Sequence, residues 1–185
     1  MNKIFCGNAV DVLRSFPAES VNMCVTSPPY YCLRDYGIEA QIGNEQTPYE
    51  YIQNLLLVFN EVKRVLRADG TLWLNIADSY AGSGKGGWNK QISEWSNKNL
   101  NPQHNPSCYN MPKIWHGIKA KDMIGVPWLL AFSLRENGWY LRSDIIWHKK
   151  NCMPESVKDR PSKCYEHIFL LSKSSKYYYD YDAVK

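Results

Sequence analysis

Apolar and polar residues along the chain form segments that predict strands and helices in alternation. Residues 3–6 and 21–26 are short apolar runs, and each predicts a strand. Between them, residues 9–16 place Val10 and Leu13 on one face of a helix. The first part of the chain therefore predicts a strand, a helix and a second strand.

The longest predicted helix begins after Thr47. Thr47 and Glu50 have the spacing of a capping box, and Pro48 occupies the first helical position. Large apolar residues then recur every three or four positions to about residue 67, and Gly70 follows the end of this pattern. The pattern predicts an amphipathic helix whose apolar face belongs to the core.

The rest of the chain continues the alternation. Residues 71–76 predict a buried strand, 124–137 a helix and 139–149 another strand, while 166–173 and 176–180 predict a closing pair of strands. Strands and helices that alternate in this way indicate an α/β fold with a Rossmann-like sheet. In such sheets, ligands bind at the carboxyl ends of the strands.

One long segment breaks the pattern. Residues 81–121 are rich in Gly, Asn, Ser and Lys and show little apolar periodicity. A stretch of this length without periodicity is usually a functional loop or a disordered segment. We therefore expect one domain over residues 1–185, with a long flexible loop at about 81–121.

The composition limits the classes of function. A formal charge of +4 permits an acidic partner such as nucleic acid but does not argue for one. The six cysteines contain no C-x-x-C pair, so we expect reduced thiols and a cytoplasmic location. The four histidines lack ligand spacing, so no metal site is expected. No apolar run approaches the roughly 20 residues of a membrane span, so no membrane partner is expected.

The tetrapeptide Ser27-Pro28-Pro29-Tyr30 follows the predicted strand 21–26. Prolines cannot donate to a strand ladder, so they indicate a strand end that opens into a rigid loop. The motif suits methylation of an exocyclic amino group, because the Ser27 side chain and the Pro28 carbonyl both accept hydrogen bonds from NH2. The Tyr30 ring offers a stacking face for a base rotated out of the duplex. Taken alone, the tetrapeptide is equally well a strand-ending turn.

Five blocks in order resemble bacterial and phage DNA amino-methyltransferases of the N4-cytosine/N6-adenine group, whose catalytic motif precedes the cofactor motif. The blocks are TSPPYYCLRDYG, QIGNEQTPYEYI, GTLWLNIADSY, GWYLRSDIIWHK and MPESVKDRPSKCYEHIFLLSKS. The resemblance implies a Rossmann-like S-adenosylmethionine-dependent methyltransferase fold, S-adenosylmethionine as cofactor and double-stranded DNA as substrate. It also implies that the catalytic residues are Ser27, Pro28, Pro29 and Tyr30.

The resemblance also indicates cofactor-binding residues. Asn8 follows Gly7 at a position where many relatives carry aspartate. We expect Asn8, Thr26 and Asp78 to contact S-adenosylmethionine. Asp78 ends a predicted strand, and a capping role at the following loop is an equally good interpretation.

Three basic residues lie in the block that begins with MPESVKDRPSK: Lys158, Arg160 and Lys163. A run of mixed charge is most often a solvated surface. The resemblance puts this block in a loop near the active face, so we expect the three residues to contact DNA phosphates. Such contacts position the duplex and carry no sequence information.

Members of this group carry a glycine-rich cofactor loop downstream of the last block, and this sequence contains no such loop. The glycine-rich residues 81–87 are not followed by a helical pattern and do not replace it. We therefore expect the chain to be the N-terminal, catalytic part of a methyltransferase with an incomplete sheet. A missing C-terminal segment or a second polypeptide would then supply the cofactor loop.

Serine at the first motif position is commoner among N4-cytosine enzymes, so cytosine N4 is the favoured target. Adenine N6 stays open because either amino group is gripped in the same way. A catalytically inactive DNA-binding remnant also stays open, and an RNA or protein amide methyltransferase is a weaker alternative. Methylation at ring carbon 5 is set aside, because the chain has no Pro-Cys nucleophile motif.

Overall fold

A computed structural model describes residues 2–38, 40–81, 114–115, 117–119, 121–152, 154–155 and 157–185. The helices of this part are α1 (Ala9–Arg14), α2 (Pro48–Val65) and α3 (Val126–Glu136), with a short 3-10 helix at Asp182–Val184. The strands are β1 (Val21–Thr26), β2 (Leu66–Ile76), β3 (Ile114–Trp115), β4 (Ile118–Lys119), β5 (Tyr140–His148) and β6 (Tyr165–Ser172).

The main sheet of the described residues has the strand order β1-β2-β6-β5. β1 and β2 are parallel, and α2 makes the crossover that a parallel pair requires. β6 runs antiparallel to both β2 and β5. β3 and β4 form a separate antiparallel hairpin. The predicted α/β class is confirmed, and the fold is a partial Rossmann-like one.

The predicted capping box starts α2. The Thr47 hydroxyl accepts a hydrogen bond from the Glu50 amide at 3.1 Å, and the Glu50 carboxylate accepts one from the Thr47 amide at 3.2 Å. The helix ends at Val65, two residues earlier than predicted, because the chain turns directly into β2 at Leu66. Apolar side chains line its buried face: Tyr51, Ile52, Leu55, Phe59, Val62 and Val65.

The core lies between the helices and one face of the sheet. Alternate residues of β2 are buried there, as the two-residue period of a strand requires. The helical partners come from α2 and α3. The buried sheet residues of this cluster are Leu66, Leu72, Leu74, Ile76, Phe169 and Leu171. Asn75, between Leu74 and Ile76, is only half-buried.

Most predicted elements are confirmed within a few residues, but two predicted strands are wrong. Residues 3–6 are not a strand, and the Ile4 side chain is 98% exposed. Residues 176–180 are not a strand either. β6 already pairs with β2 on one edge and with β5 on the other, so it has no free edge for them.

The predicted loop at 81–121 lies largely outside the described residues, which omit 82–113, 116 and 120. Its two ends are hydrogen-bonded to each other. The Ala81 amide donates to the Asp122 carbonyl at 2.8 Å, and the Lys121 amide donates to the Ala81 carbonyl at 3.0 Å. The β3–β4 hairpin near the end of this segment was not predicted.

The expectation that all cysteines are reduced thiols is wrong for one pair. Cys152 and Cys164 form a disulfide, with their Cα atoms 5.2 Å apart. β5 and β6 are antiparallel with His148 opposite Tyr165, so the residues just beyond this pair are close in space. Cys6 and Cys24 are free thiols. No described helix has the length and hydropathy of a membrane span.

Candidate active site

The Ser27–Tyr30 tetrapeptide leaves the carboxyl end of β1. The parallel strand β2 ends beside it, since Thr26 pairs with Leu74. This edge is where ligands bind in α/β sheets of this kind. The tetrapeptide therefore lies at the position that the sequence predicted for a functional loop.

Two neighbouring residues, Tyr51 and Gly43, constrain the backbone of the tetrapeptide. The hydroxyl group of Tyr51, a buried residue of α2, donates a hydrogen bond to the Pro29 carbonyl at 2.8 Å. Gly43 has a φ of 108°, and a Cβ atom there would lie 3.1 Å from the Tyr30 carbonyl oxygen. A residue with a side chain at position 43 would therefore crowd the loop as well as adopt a disfavoured backbone conformation. Burial raises the pKa of the Tyr51 hydroxyl, and electrostatic interactions with Glu45 and Tyr30 raise it further.

Four polar side chains meet at the carboxyl edge of the sheet. The Ser27 hydroxyl donates to the Tyr30 hydroxyl oxygen at 3.1 Å, and the Tyr30 hydroxyl lies 3.0 Å from Glu166 Oε2. Asn75 Oδ1 contacts the Tyr30 hydroxyl directly and lies 3.5 Å from Ser27 Oγ. On its other side, Glu166 forms an ion pair with Lys149.

The electrostatic environment keeps Tyr30 protonated. Burial raises the pKa of the Tyr30 hydroxyl to about 12, and the negative charge of Glu166 adds to this rise. The hydrogen bond from Ser27 acts in the opposite direction. Tyr30 therefore has a proton to donate at neutral pH, while Glu166 lies beside it as an acceptor.

The three predicted cofactor residues lie in different surroundings. Thr26 is the last residue of β1 and directly precedes Ser27. The side chain of Asn8 caps α1, accepting from the Val10 amide at 2.9 Å. The contacts described for Asn8 thus lie within α1, and a role for it in cofactor binding stays a prediction.

Asp78 caps α3. Its carboxylate accepts hydrogen bonds from the Gly125 amide at 3.0 Å and from the Val126 amide at 2.9 Å. It also accepts one from the Ser79 amide at 2.9 Å. The capping interpretation therefore accounts for these contacts, although it applies to a helix distant in sequence. Contact of Asp78 with a cofactor stays a prediction.

The predicted DNA-binding residues belong to the segment between β5 and β6. The Lys158 side chain is exposed. The Arg160 guanidinium lies 3.7 Å from the centre of the Tyr80 ring and forms an ion pair with Glu155. Burial lowers the pKa of Lys163, whose ammonium group lies 5.1 Å from the Tyr165 ring. Arg160 thus links this segment to Tyr80, just beyond β2.

The sequence analysis missed three residues of the site: Asn75, Glu166 and Lys149. Asn75 and Glu166 each carried a weak signal, because each is a polar residue close to a run of apolar strand residues. Lys149 carried none. No group of His, Cys, Asp and Glu side chains among the described residues is arranged to hold a metal ion.

Comparison with solved structures defines the fold class. The PvuII DNA methyltransferase (cytosine-N4-specific) superposes with a TM-score of 0.64 at 18% identity, covering 97% of this chain and 52% of that one. A putative DNA modification methylase from Thermus thermophilus, complexed with S-adenosyl-L-methionine, gives a TM-score of 0.56 at 22% identity, with 96% and 55% covered. The fold is therefore a partial methyltransferase fold.

Sequence comparison then gives the family. The DNA methylase family model matches residues 21–185, and the chain belongs to this family. The Type II methyltransferase M.Cfr9I of Citrobacter freundii is 50% identical over 182 residues, which are 98% of this chain and 58% of that protein. M.SmaI of Serratia marcescens is 48% identical over 183 residues, covering 99% and 60%. The resemblance to DNA amino-methyltransferases is thus confirmed, and the chain spans about three fifths of the length of these relatives.

Proposed function

We propose that this chain is the catalytic part of a site-specific DNA methyltransferase. The enzyme transfers a methyl group from S-adenosylmethionine to the exocyclic amino group of a base flipped out of double-stranded DNA. The observation that carries the proposal is the position of Ser27 and Tyr30. In a chain of the DNA methylase family, their hydroxyl groups are joined at the carboxyl edge of the sheet, 3.1 Å apart.

The tetrapeptide grips the amino group. The Ser27 hydroxyl and the Pro28 carbonyl accept its two hydrogens, which directs the nitrogen lone pair toward the methyl donor. Pro29 keeps the loop rigid, and its carbonyl is fixed by the hydrogen bond from Tyr51. The Tyr30 ring stacks on the flipped base. The contacts of its hydroxyl with Ser27 and Glu166 hold the ring in position.

S-adenosylmethionine supplies the methyl group as a sulfonium when it is bound. The described residues fit one side of its site, because β1 ends in Thr26 beside the acceptor loop. β1 is one of the two edge strands of the described main sheet, and it exposes Met23 and Val25 on one face. A glycine-rich segment, from the same polypeptide or a second one, pairs with this edge and completes the cofactor site. Asn8 and Asp78 contact the cofactor from this chain.

Double-stranded DNA binds across the carboxyl edge of the sheet, where the tetrapeptide lies. Lys158, Arg160 and Lys163 contact its phosphates and position the duplex. The enzyme acts in the cytoplasm of a bacterial or phage-infected cell.

Cytosine N4 is the favoured target, because serine stands at the first position of the motif. Adenine N6 is the alternative, and the hydroxyl and carbonyl acceptors suit it equally. A DNA-binding remnant without catalysis is the third interpretation. It follows if no segment completes the cofactor site.

Two measurements test the proposal. Isothermal titration with S-adenosylmethionine, with the 185-residue chain alone and together with a relative's glycine-rich segment, measures cofactor binding. Methyl transfer to plasmid DNA, followed by mass spectrometry of the nucleosides, then identifies the product. N4-methylcytosine supports the proposal, and N6-methyladenine corrects the base. If neither preparation transfers a methyl group, the proposed enzyme is contradicted, whether or not the cofactor binds.

A further inference from the structure

The proton on the Tyr30 hydroxyl has two competing acceptors. Glu166 Oε2 lies on one side at 3.0 Å, and Asn75 Oδ1 contacts the same hydroxyl on the other. Ser27 already donates its own hydrogen to the Tyr30 oxygen. A hydroxyl has a single hydrogen to give, so only one of the two acceptors receives it.

The amide of Asn75 decides between them. Its Nδ2 atom is buried and has no hydrogen-bond partner among the described residues. A half-turn of the amide exchanges Oδ1 and Nδ2, so that the nitrogen donates to the Tyr30 oxygen. A buried carbonyl without a partner is better tolerated than a buried N–H without one. With the amide turned, the Tyr30 hydrogen points to Glu166.

We propose that Glu166 is the proton-accepting end of a relay that begins at Ser27 Oγ and passes through the Tyr30 hydroxyl. The relay removes the proton that the amino group must lose when it is methylated. This inference rests on the proposed function. Glu166 acts through Tyr30 and Ser27, so it is a positioning residue for the reaction and does not itself touch the base.

The step balances in atoms and charge. Methyl transfer forms a carbon–nitrogen bond at the amino group and breaks the carbon–sulfur bond of the sulfonium donor, whose electron pair stays on sulfur. The positively charged nitrogen then gives a proton to Ser27 Oγ. Ser27 passes its own proton to Tyr30, and Tyr30 passes its own to Glu166. Both hydroxyls end neutral, and the Glu166 acid returns its proton to water.

Charged groups from several elements surround the relay. Lys149, just beyond β5, pairs with Glu166 and is 43% exposed, so the end of the relay lies near solvent. Lys163, just before β6, also interacts electrostatically with Glu166. Tyr51 from α2 faces Tyr30. Lys149 and Lys163 therefore place two positive charges at the Glu166 end of the relay.

The first test is the Glu166→Gln variant in the methylating enzyme. Glutamine keeps the size of the side chain and an oxygen for Tyr30 but cannot take the proton. We expect kcat to fall about 100-fold, the lower end of what a positioned proton acceptor contributes, with KM for DNA unchanged. Tyr30→Phe breaks the same relay, so the double variant should be little slower than the slower single variant.

A matched control is Glu61→Gln. Glu61 is also an ion-paired carboxylate, with 20% of its side chain exposed against 13% for Glu166, but it pairs with Arg64 in α2. We expect its kcat to equal that of the wild type. An equal loss in both variants would overturn the relay, as would full activity in Glu166→Gln.

A second readout needs neither cofactor nor DNA. Fluorotyrosine incorporated into the chain lowers the pKa of every tyrosine, and fluorine NMR then follows each residue while the chain is folded. The Tyr30 signal is the one absent from Tyr30→Phe. Because the charge of Glu166 raises the pKa of Tyr30, Glu166→Gln should lower it. An unchanged Tyr30 pKa would overturn the inference.

The two readouts separate this inference from the proposed function. An active wild type with an unaffected Glu166→Gln variant overturns the relay alone. A wild type that transfers no methyl group, even with the completing segment, overturns the proposed function and the relay with it.

Discussion

The hydroxyl group of Tyr51 donates a hydrogen bond to the Pro29 carbonyl across 2.8 Å and thereby joins the first turn of α2 to the loop after β1. The Tyr51 side chain is fully buried. A bond of this kind couples the stability of the core to the position of the candidate catalytic loop. It therefore predicts that a change in the core alters both properties.

Replacing Tyr51 by phenylalanine removes the hydroxyl and leaves the Pro29 carbonyl without this donor. We expect the free energy of unfolding to fall by about 1 kcal/mol, the usual contribution of one hydrogen bond. Methyl transfer should fall as well, because the loop loses an anchor. Urea denaturation measures the first effect. Tyr179→Phe, at a half-exposed site, is the control, and an equally stable Tyr51→Phe protein would refute the coupling.

Ser27→Ala tests the proposed grip on the amino group. Ser27 is exposed, so its loss should change the free energy of unfolding by no more than about 0.5 kcal/mol. Methyl transfer should fall about 100-fold, since an acceptor for the amino hydrogen and the start of the relay are both lost. Ser20→Ala, whose hydroxyl bonds only to its own turn among the contacts described, provides the matched control. Unchanged turnover would remove Ser27 from the mechanism.

Asp78→Ala tests whether the cap on α3 is the whole role of Asp78. Loss of the bonds to the Gly125 and Val126 amides should lower the free energy of unfolding by about 1 kcal/mol. If Asp78 also contacts the cofactor, titration calorimetry should show weaker S-adenosylmethionine binding under conditions where the variant is fully folded. Binding equal to that of the wild type would restrict Asp78 to the cap.

Alkaline pH should destabilise the protein through Tyr30. Its pKa rises from 10.0 to about 12 on folding, so the folded state holds the proton more tightly than the unfolded state. The resulting stabilisation is complete below pH 10 and is lost as the pH rises toward about 12. Tyr51 shifts in the same direction and contributes to the same loss.

Urea denaturation at a series of pH values measures this dependence. Tyr30→Phe has no proton to lose at this position, so its stability should decline less steeply over the alkaline range. Parallel curves for the wild type and the variant would argue against a raised pKa at Tyr30.

Local signals in the sequence predicted the helices well. The start of α2 follows from Thr47, Pro48 and Glu50, which lie within one turn of each other and need no distant partner. The strand predicted at 176–180 failed for the opposite reason. A strand needs a free edge, and the pairing of β6 with β2 and β5 is decided by distant parts of the chain.

The candidate site divides in the same way. Ser27 and Tyr30 were predicted because a single tetrapeptide contains both. Glu166 was missed because it lies 136 residues from Tyr30 in sequence and reaches it only through the pairing of β6 with β2. Asp78 carried a local signal that fits two roles, and the helix that it caps begins 48 residues later.

The hydrogen bonds between Ala81 and residues 121–122 close the chain at the point where it leaves the sheet and returns. The cost of closing a loop grows only slowly with its length. Once these hydrogen bonds have formed, insertions into the segment between them, deletions from it or its complete replacement disturb little of the sheet. This junction is therefore a natural grafting point, where a segment from a relative is exchangeable while the catalytic loop stays in place.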